Sequence, residues 1–363
     1  MNIFICTSGT SIATNQCNIS DIENQPPDKK ESFKLELSGI EEQVKGFLST
    51  CRFEKEVDKT SAEIKSLFKM GISQGDKVYL LVSDTMDGEI CARLNKEFIE
   101  EKWKCEVILE HIKGLQASDT EIFRKQGLKN LLERLIRLLE KYQYQDVSLN
   151  ITGGYKSVIP YVTLLGMIYD SPVRYIYEKS QEVITLEKIP IMYDESLILS
   201  VENKLRRIEN DTQITLDEWR DGIAYESGQK YDSLIEEENG HVTMSGIGLL
   251  FYEKFKIDYP PELERDFTAP NEKPIKLRDD HGKDTLLAFA KKLVNSPFIK
   301  EIINSLPFNP KQTNPIKKCS ENGQIEIVLT YTDAGYGLVV QTTGKNKKEA
   351  EIIAKILKNK YLS

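Results

Sequence analysis

Apolar positions in the first half of the chain alternate between two rhythms. Short continuous apolar runs occur at Asn2 to Cys6, Val78 to Val82, Cys105 to Leu109 and Val147 to Ile151, and they predict buried strands. Between them, residues 40–48, 60–70, 86–101 and 121–142 repeat apolar side chains at helical spacing. Val158 to Tyr169, with Ile159, Val162, Leu165, Gly166 and Ile168, predicts a buried helix, and residues 173–177 and 182–186 a terminal strand pair. Strands separated by helices of this length specify an α/β fold with a mostly parallel sheet covered on both faces and right-handed crossovers. Residues 15–35, with Pro26-Pro27 and many polar side chains, read as an insertion or mobile excursion.

The second half has a different rhythm. Helical spacing recurs over residues 194–209, 216–225 and 231–237, followed by the turn Glu238-Asn239-Gly240, the alternating His241 to Met244 and a helix over 245–255. This order resembles a winged helix-turn-helix, but Glu236 to Glu238 make it acidic, so it is expected to connect or dock rather than hold DNA. After prolines at 260–261 and 270–274 come predicted helices over 286–293 and 298–306, two strands at 325–329 and 337–341 joined by Thr332 to Tyr336, and a closing helix over 347–361. The expected division is a sensor-like α/β domain at 1–190, a helical winged-helix-like connector at 191–272 and a small α+β domain at 273–363.

Charge sharpens that division. The 363 residues carry a net charge of −8, yet residues 273–363 hold 16 Lys/Arg against 9 Asp/Glu, while the remainder carries a net −15. A basic end on an acidic chain suits contact with nucleic acid, although a lysine-rich solvated helix would contribute to the same excess. The six cysteines are scattered and the three histidines are not clustered with them, so no metal site is expected. No apolar run approaches the ~18 residues of a membrane span, and no signal-peptide layout is seen, so a cytoplasmic protein without a membrane partner is expected.

Two loops carry the candidate chemistry. Thr7-Ser8-Gly9-Thr10-Ser11 follows the first strand, and Thr152-Gly153-Gly154-Tyr155-Lys156-Ser157 joins a later strand to a helix. Small residues let backbone N–H groups approach an anion, and a helix start adds unpaired donors and the positive end of its dipole. An ordinary glycine-rich turn would use the same residues. A P-loop is excluded, because Tyr155 stands where glycine must precede the lysine and Asn150 where the loop's first glycine belongs. Both loops follow strand ends, where ligands of open α/β sheets sit.

Together, in this order, the two motifs resemble the CRISPR-associated Rossmann-like (CARF) domain over roughly residues 1–190. The resemblance implies a Rossmann-like fold and a homodimer that binds a cyclic oligoadenylate, here cyclic tetra-adenylate, across its two-fold axis, with slow cleavage of that ring in some members. It implies ligand contacts from Ser8, Gly9, Thr10, Ser11, Thr152, Gly153, Gly154, Tyr155 and Lys156, and no cofactor or metal.

The element order and basic residues of 280–363, with Gly344-Lys345-Asn346-Lys347-Lys348 before the closing helix, resemble the RelE mRNA interferase toxins. That implies a metal-independent endoribonuclease acting on mRNA at the ribosome. Lys345 stands where those toxins carry arginine, and Tyr361 falls at the far end of the closing helix. Lys317, Lys318 and Lys345 are nominated to stabilise charge, His281 or a lysine to move a proton, and Tyr336 to stack on a base; for His281, a role at a helix start is an equal alternative. A HEPN nuclease is excluded, since no histidine has an arginine upstream of it across four to six intervening residues, and a PD-(D/E)xK nuclease is disfavoured, since Ile325 to Leu329 lacks its acid-x-Lys. Two other readings stay open: a non-enzymatic ligand-controlled regulator, and a ring nuclease with an inert C-terminal domain.

Overall fold

The structure, a computed structural model, describes residues 1–142, 146–177, 180–186, 194–224, 228–279, 282–310, 314–331 and 334–362. They form two compact units, Met1–Lys254 and Phe255–Ser363. The expected sensor and connector thus lie in one unit, and residues 255–272, expected in the connector, go with the second.

The first unit is built on six strands: β1 Ile3–Thr7, β2 Lys77–Val82, β3 Glu106–His111, β4 Val147–Asn150, β5 Val173–Tyr175 and β6 Ile184–Leu186. Their order is β3-β2-β1-β4-β5-β6, parallel except for the β5–β6 pair, as the alternating pattern predicts for a Rossmann-like sheet. Successive strand residues point to opposite faces. Phe4, Cys6, Val78, Leu80 and Val82 enter one core with the helices Lys34–Thr50, Ala62–Lys69 and Met86–Trp103. Ile3, Ile5, Tyr79 and Leu81 enter the other with Leu128–Lys141 and Ile159–Ile168.

Residues 15–35 are more than an insertion. Ile19 and Ile22 are buried, and the Met86 N–H donates to Gln25 O at 2.8 Å, so this segment is tied to the core.

Residues 194–254 contribute the helices Glu195–Asp211, Leu216–Arg220 and Gly228–Asp232, the first part of the helix Gly246–Asp258, and a small antiparallel sheet, β7 Ile214–Thr215, β8 Ile235–Glu238 and β9 His241–Met244, ordered β7-β9-β8. The helix expected over 231–237 is therefore half strand: Leu234 and Ile235 are buried and the acidic run extends along β8. Within the unit, Glu236 lies 3.7 Å from Arg124 and Glu238 pairs with Lys125.

In the second unit, β10 Ile299–Pro310, β11 Ile316–Cys319, β12 Gln324–Tyr331 and β13 Ala334–Thr342 form an antiparallel sheet in the order β10-β13-β12-β11, with helices Lys283–Leu293 and Lys347–Tyr361. The helix expected over 298–306 is instead the edge strand β10. Register shifts between Ile299 and Glu301 and between Ile302 and Asn304 place buried Ile299, Ile302 and Ser305 three apart, which imitates helical spacing.

Candidate functional site

β1 and β4 are neighbours, and the strand order reverses between them. Open parallel sheets bind ligands at such a switch point, beyond the carboxyl ends of the strands. Both glycine loops leave from there. They are in backbone contact: a Cβ at Gly9 would lie 2.7 Å from the Gly154 nitrogen, and Gly154 has φ +80°, a conformation that favours glycine.

Asn150, fully buried at the end of β4, organises the second loop. Its amide donates to Ser66 Oγ at 2.7 Å, and its carbonyl oxygen accepts from the Thr152 N–H and hydroxyl at 3.2 and 2.7 Å. Thr152 Oγ1 in turn accepts from the Ile176 N–H at 3.1 Å, and Thr7 Oγ1 donates to Gly153 O. On the first loop, Ser11 Oγ accepts from the Ala62 N–H at 2.9 Å, while Ser61 caps the same helix.

These loops open on a cavity of about 570 Å³. Ser8, Gly9, Thr10, Ser11, Thr152, Gly153, Gly154, Tyr155 and Lys156, all nominated from sequence, line it together. Lys156 is exposed, its carbonyl accepts from the Ile159 N–H, and among the described residues no hydrogen bond or ion pair engages its side chain. Ser8 Oγ is buried there without a hydrogen-bond partner among the described residues. Burial raises the Tyr155 phenol, with Ser83 and Thr85 beside it pulling the other way.

Sequence reasoning missed the charged residues contributed by other segments. Lys65 reaches the cavity while bonded to Asp58 at 2.8 Å and Ser180 O at 3.0 Å, and the ammonium holds the Asp58 carboxyl below the usual range. Glu23 and Asp87 add two more carboxylates to the lining. Among the described residues three carboxylates face two ammonium groups, so these side chains do not make a general basic cleft. Anion binding must concentrate at the backbone donors and Lys156.

Glu63 was missed as well, because a charged residue in an amphipathic helix ordinarily marks the solvent face. Here Ala62–Lys69 is buried on nearly every side, and Glu63 is 0% exposed beneath both loops. Its Oε1 accepts the Gly9 N–H at 2.6 Å and would lie 2.0 Å from a Cβ at Gly153, while Oε2 has no hydrogen-bond partner among the described residues. Burial raises its carboxyl above the ordinary range; the Gly9 N–H, Ser61 and Asn95 only partly oppose that. A raised acid holds its proton more tightly folded than unfolded, so stability is full below the ordinary carboxyl range and falls as pH rises toward the raised value. Glu63→Gln should therefore melt above the parent by a margin that widens as pH rises above the ordinary carboxyl range, at up to ~1.4 kcal/mol per pH unit. A pH-independent margin in thermal unfolding would contradict this.

The comparisons with known proteins address this part of the chain. Residues 58–189 match the model of a CRISPR-associated protein family, Cas_APE2256. The match begins after the first glycine loop and takes in Glu63, the second loop and β2 through β6. Among curated proteins, none matches the chain.

The residues nominated in the second unit do not converge in the same way. Lys317 and Lys318 lie exposed on the edge strand β11, with Lys317 Nζ 3.5 Å from Glu326. Lys318 pairs across from Glu326, which pairs with Val339. Tyr336 pairs with Leu329 and has the parity of Leu338 and Val340, the buried side of β13. Its ring lies against Gly282 at the start of a helix: a Cβ there would be 3.2 Å away. Lys345 follows β13 at its other end, 3.4 Å from Glu264. Six residues of strand, roughly 20 Å, separate Tyr336 from Thr342. His281 lies outside the described residues. Among the described residues no cluster of three metal-ligating side chains occurs, and no helix is long and apolar enough to cross a membrane.

Proposed function

We propose that this chain is a type III CRISPR ancillary effector whose first unit senses a cyclic oligoadenylate, cyclic tetra-adenylate in particular. One observation carries the reading: two phosphate-type loops, distant in sequence, line one cavity at the switch point of a parallel sheet. The match of residues 58–189 to a CRISPR-associated family supports it. A ring of identical nucleotides has rotational symmetry, so a homodimer offers it two equal half-sites. In each, Lys156 neutralises phosphate and the free N–H groups of the glycine loops donate to phosphate oxygens. Slow ring cleavage needs only a ribose 2′-OH aligned in line with its neighbouring phosphorus.

In the same proposal the second unit is a metal-independent endoribonuclease that cuts mRNA on the ribosome, with lysines stabilising the phosphate. Its basic balance supports an RNA substrate. The separation of Tyr336 from Lys317, Lys318 and Lys345 favours a second reading, a ligand-controlled regulator that binds nucleic acid or protein without cutting it. RNA cleavage by purified protein and translating ribosomes, with and without each cyclic oligoadenylate, separates the two.

Lys156→Ala tests the sensor alone. Losing a charged hydrogen bond costs ~1.5–3 kcal/mol, so affinity for cyclic tetra-adenylate should fall at least about tenfold. Unchanged affinity would remove Lys156 from the site.

A further inference from the structure

Each glycine loop alone is a small collection of backbone donors. What aligns them lies underneath. Glu63 Oε1 takes the Gly9 N–H at 2.6 Å, and the same oxygen bears on the Gly153 α-carbon so closely that a Cβ there would sit 2.0 Å from it. One carboxyl therefore touches both loops. The Gly9 N–H, consumed by this bond, points inward and is not available to a ligand. The seat for an anion is left to the neighbouring donors and Lys156.

The charge on that carboxyl matters for the same reason. Glu63 is fully buried, its Oε2 has no partner, and no cation is bonded to it among the described residues. The nearest ammonium on its helix, Lys65, is turned to Asp58 and Ser180. Other titratable groups facing it are the thiols of Cys6, from β1, and Cys91, from the helix Met86–Trp103; burial raises both, so they stay uncharged at neutral pH. Asp87, on the same helix as Cys91, is engaged by the Asn24 N–H at 3.1 Å. An ionised Glu63 would place an uncompensated negative charge directly beneath an anion seat, in a setting of low dielectric where it acts strongly.

We infer that Glu63 is a positioning residue that joins the two glycine loops into one anion seat while uncharged, so that ligand affinity follows its protonation. The inference rests on the proposal that the cavity takes an anionic nucleotide. It assigns Glu63 no contact with the ligand. Ionisation of Glu63 both repels the phosphate and draws the Gly9 N–H more firmly inward, so affinity weakens as pH rises.

The test is binding of labelled cyclic tetra-adenylate to the full chain between about pH 5.5 and 8.5, where neither phosphodiester nor adenine titrates. The parent protein should lose affinity as pH rises. Glu63→Gln, which keeps the oxygen for Gly9 and cannot ionise, should hold a flat profile and bind at least fivefold more tightly than the parent at the alkaline end. Glu63→Asp, which withdraws the carboxyl from both loops, should bind at least tenfold more weakly at every pH, with folding checked by thermal unfolding. Parallel profiles for the parent and Glu63→Gln, or undiminished binding by Glu63→Asp, would overturn this inference and leave the sensor intact. Absence of binding by the parent at every pH would overturn the sensor reading, and the inference with it.

Discussion

Gly9→Ala should reduce binding of cyclic tetra-adenylate at least a hundredfold. The added methyl would lie 2.7 Å from the Gly154 backbone nitrogen and 3.3 Å from its α-carbon, and neither is the yielding end of a side chain. The second loop cannot retreat easily, because Thr7 holds Gly153 O and Asn150 holds Thr152 from both backbone and hydroxyl. Overpacking of this kind costs ~1–3 kcal/mol in stability. Separating the loops additionally dismantles the donor array, so binding should suffer more than folding. Gly46→Ala is the internal control: Gly46 lies within the helix Lys34–Thr50 with nothing within 4 Å of an added Cβ. That change should stabilise the protein by ~0.5–1 kcal/mol and leave affinity alone. Equal ligand affinity in Gly9→Ala and Gly46→Ala, measured by calorimetry, would sink the account of the paired loops.

Removing residues 255–363 should have the second large effect, complete loss of ligand-stimulated RNA cleavage with affinity for cyclic tetra-adenylate kept within about threefold. The first unit keeps both cores, both loops and the cavity, since every nominated contact lies within Met1–Lys254. RNA cleavage by the truncated chain would contradict the assignment of the nuclease to the second unit. Loss of ligand binding on truncation would contradict the independence of the sensor.

The sequence exposes the sensor's loops because their chemistry is local: two glycines, a lysine and a helix start announce themselves within a few residues. Adjacency of β1 and β4 is a different matter. It follows from strand order, which periodicity does not encode, and only that order brings Ser8 to Ser11 against Thr152 to Lys156. Glu63 was hidden by the usual link between charge and exposure, which fails in a helix enclosed on nearly every side. In the second unit, bulges in β10 gave a strand the spacing of a helix. The aromatic ring of Tyr336 suits base stacking by type, but strand parity sends that ring to the buried face of the sheet, whereas Lys317 and Lys318 lie exposed on the edge strand.

The most direct measurement of the central claim is calorimetric titration of the full chain with cyclic tetra-adenylate, beside the cyclic rings of other sizes. Saturable binding of one ring per two chains, at least tenfold weaker in Lys156→Ala, is the predicted result. If no cyclic oligoadenylate of any size binds saturably, the cavity between the two glycine loops is not a sensor of this ligand class.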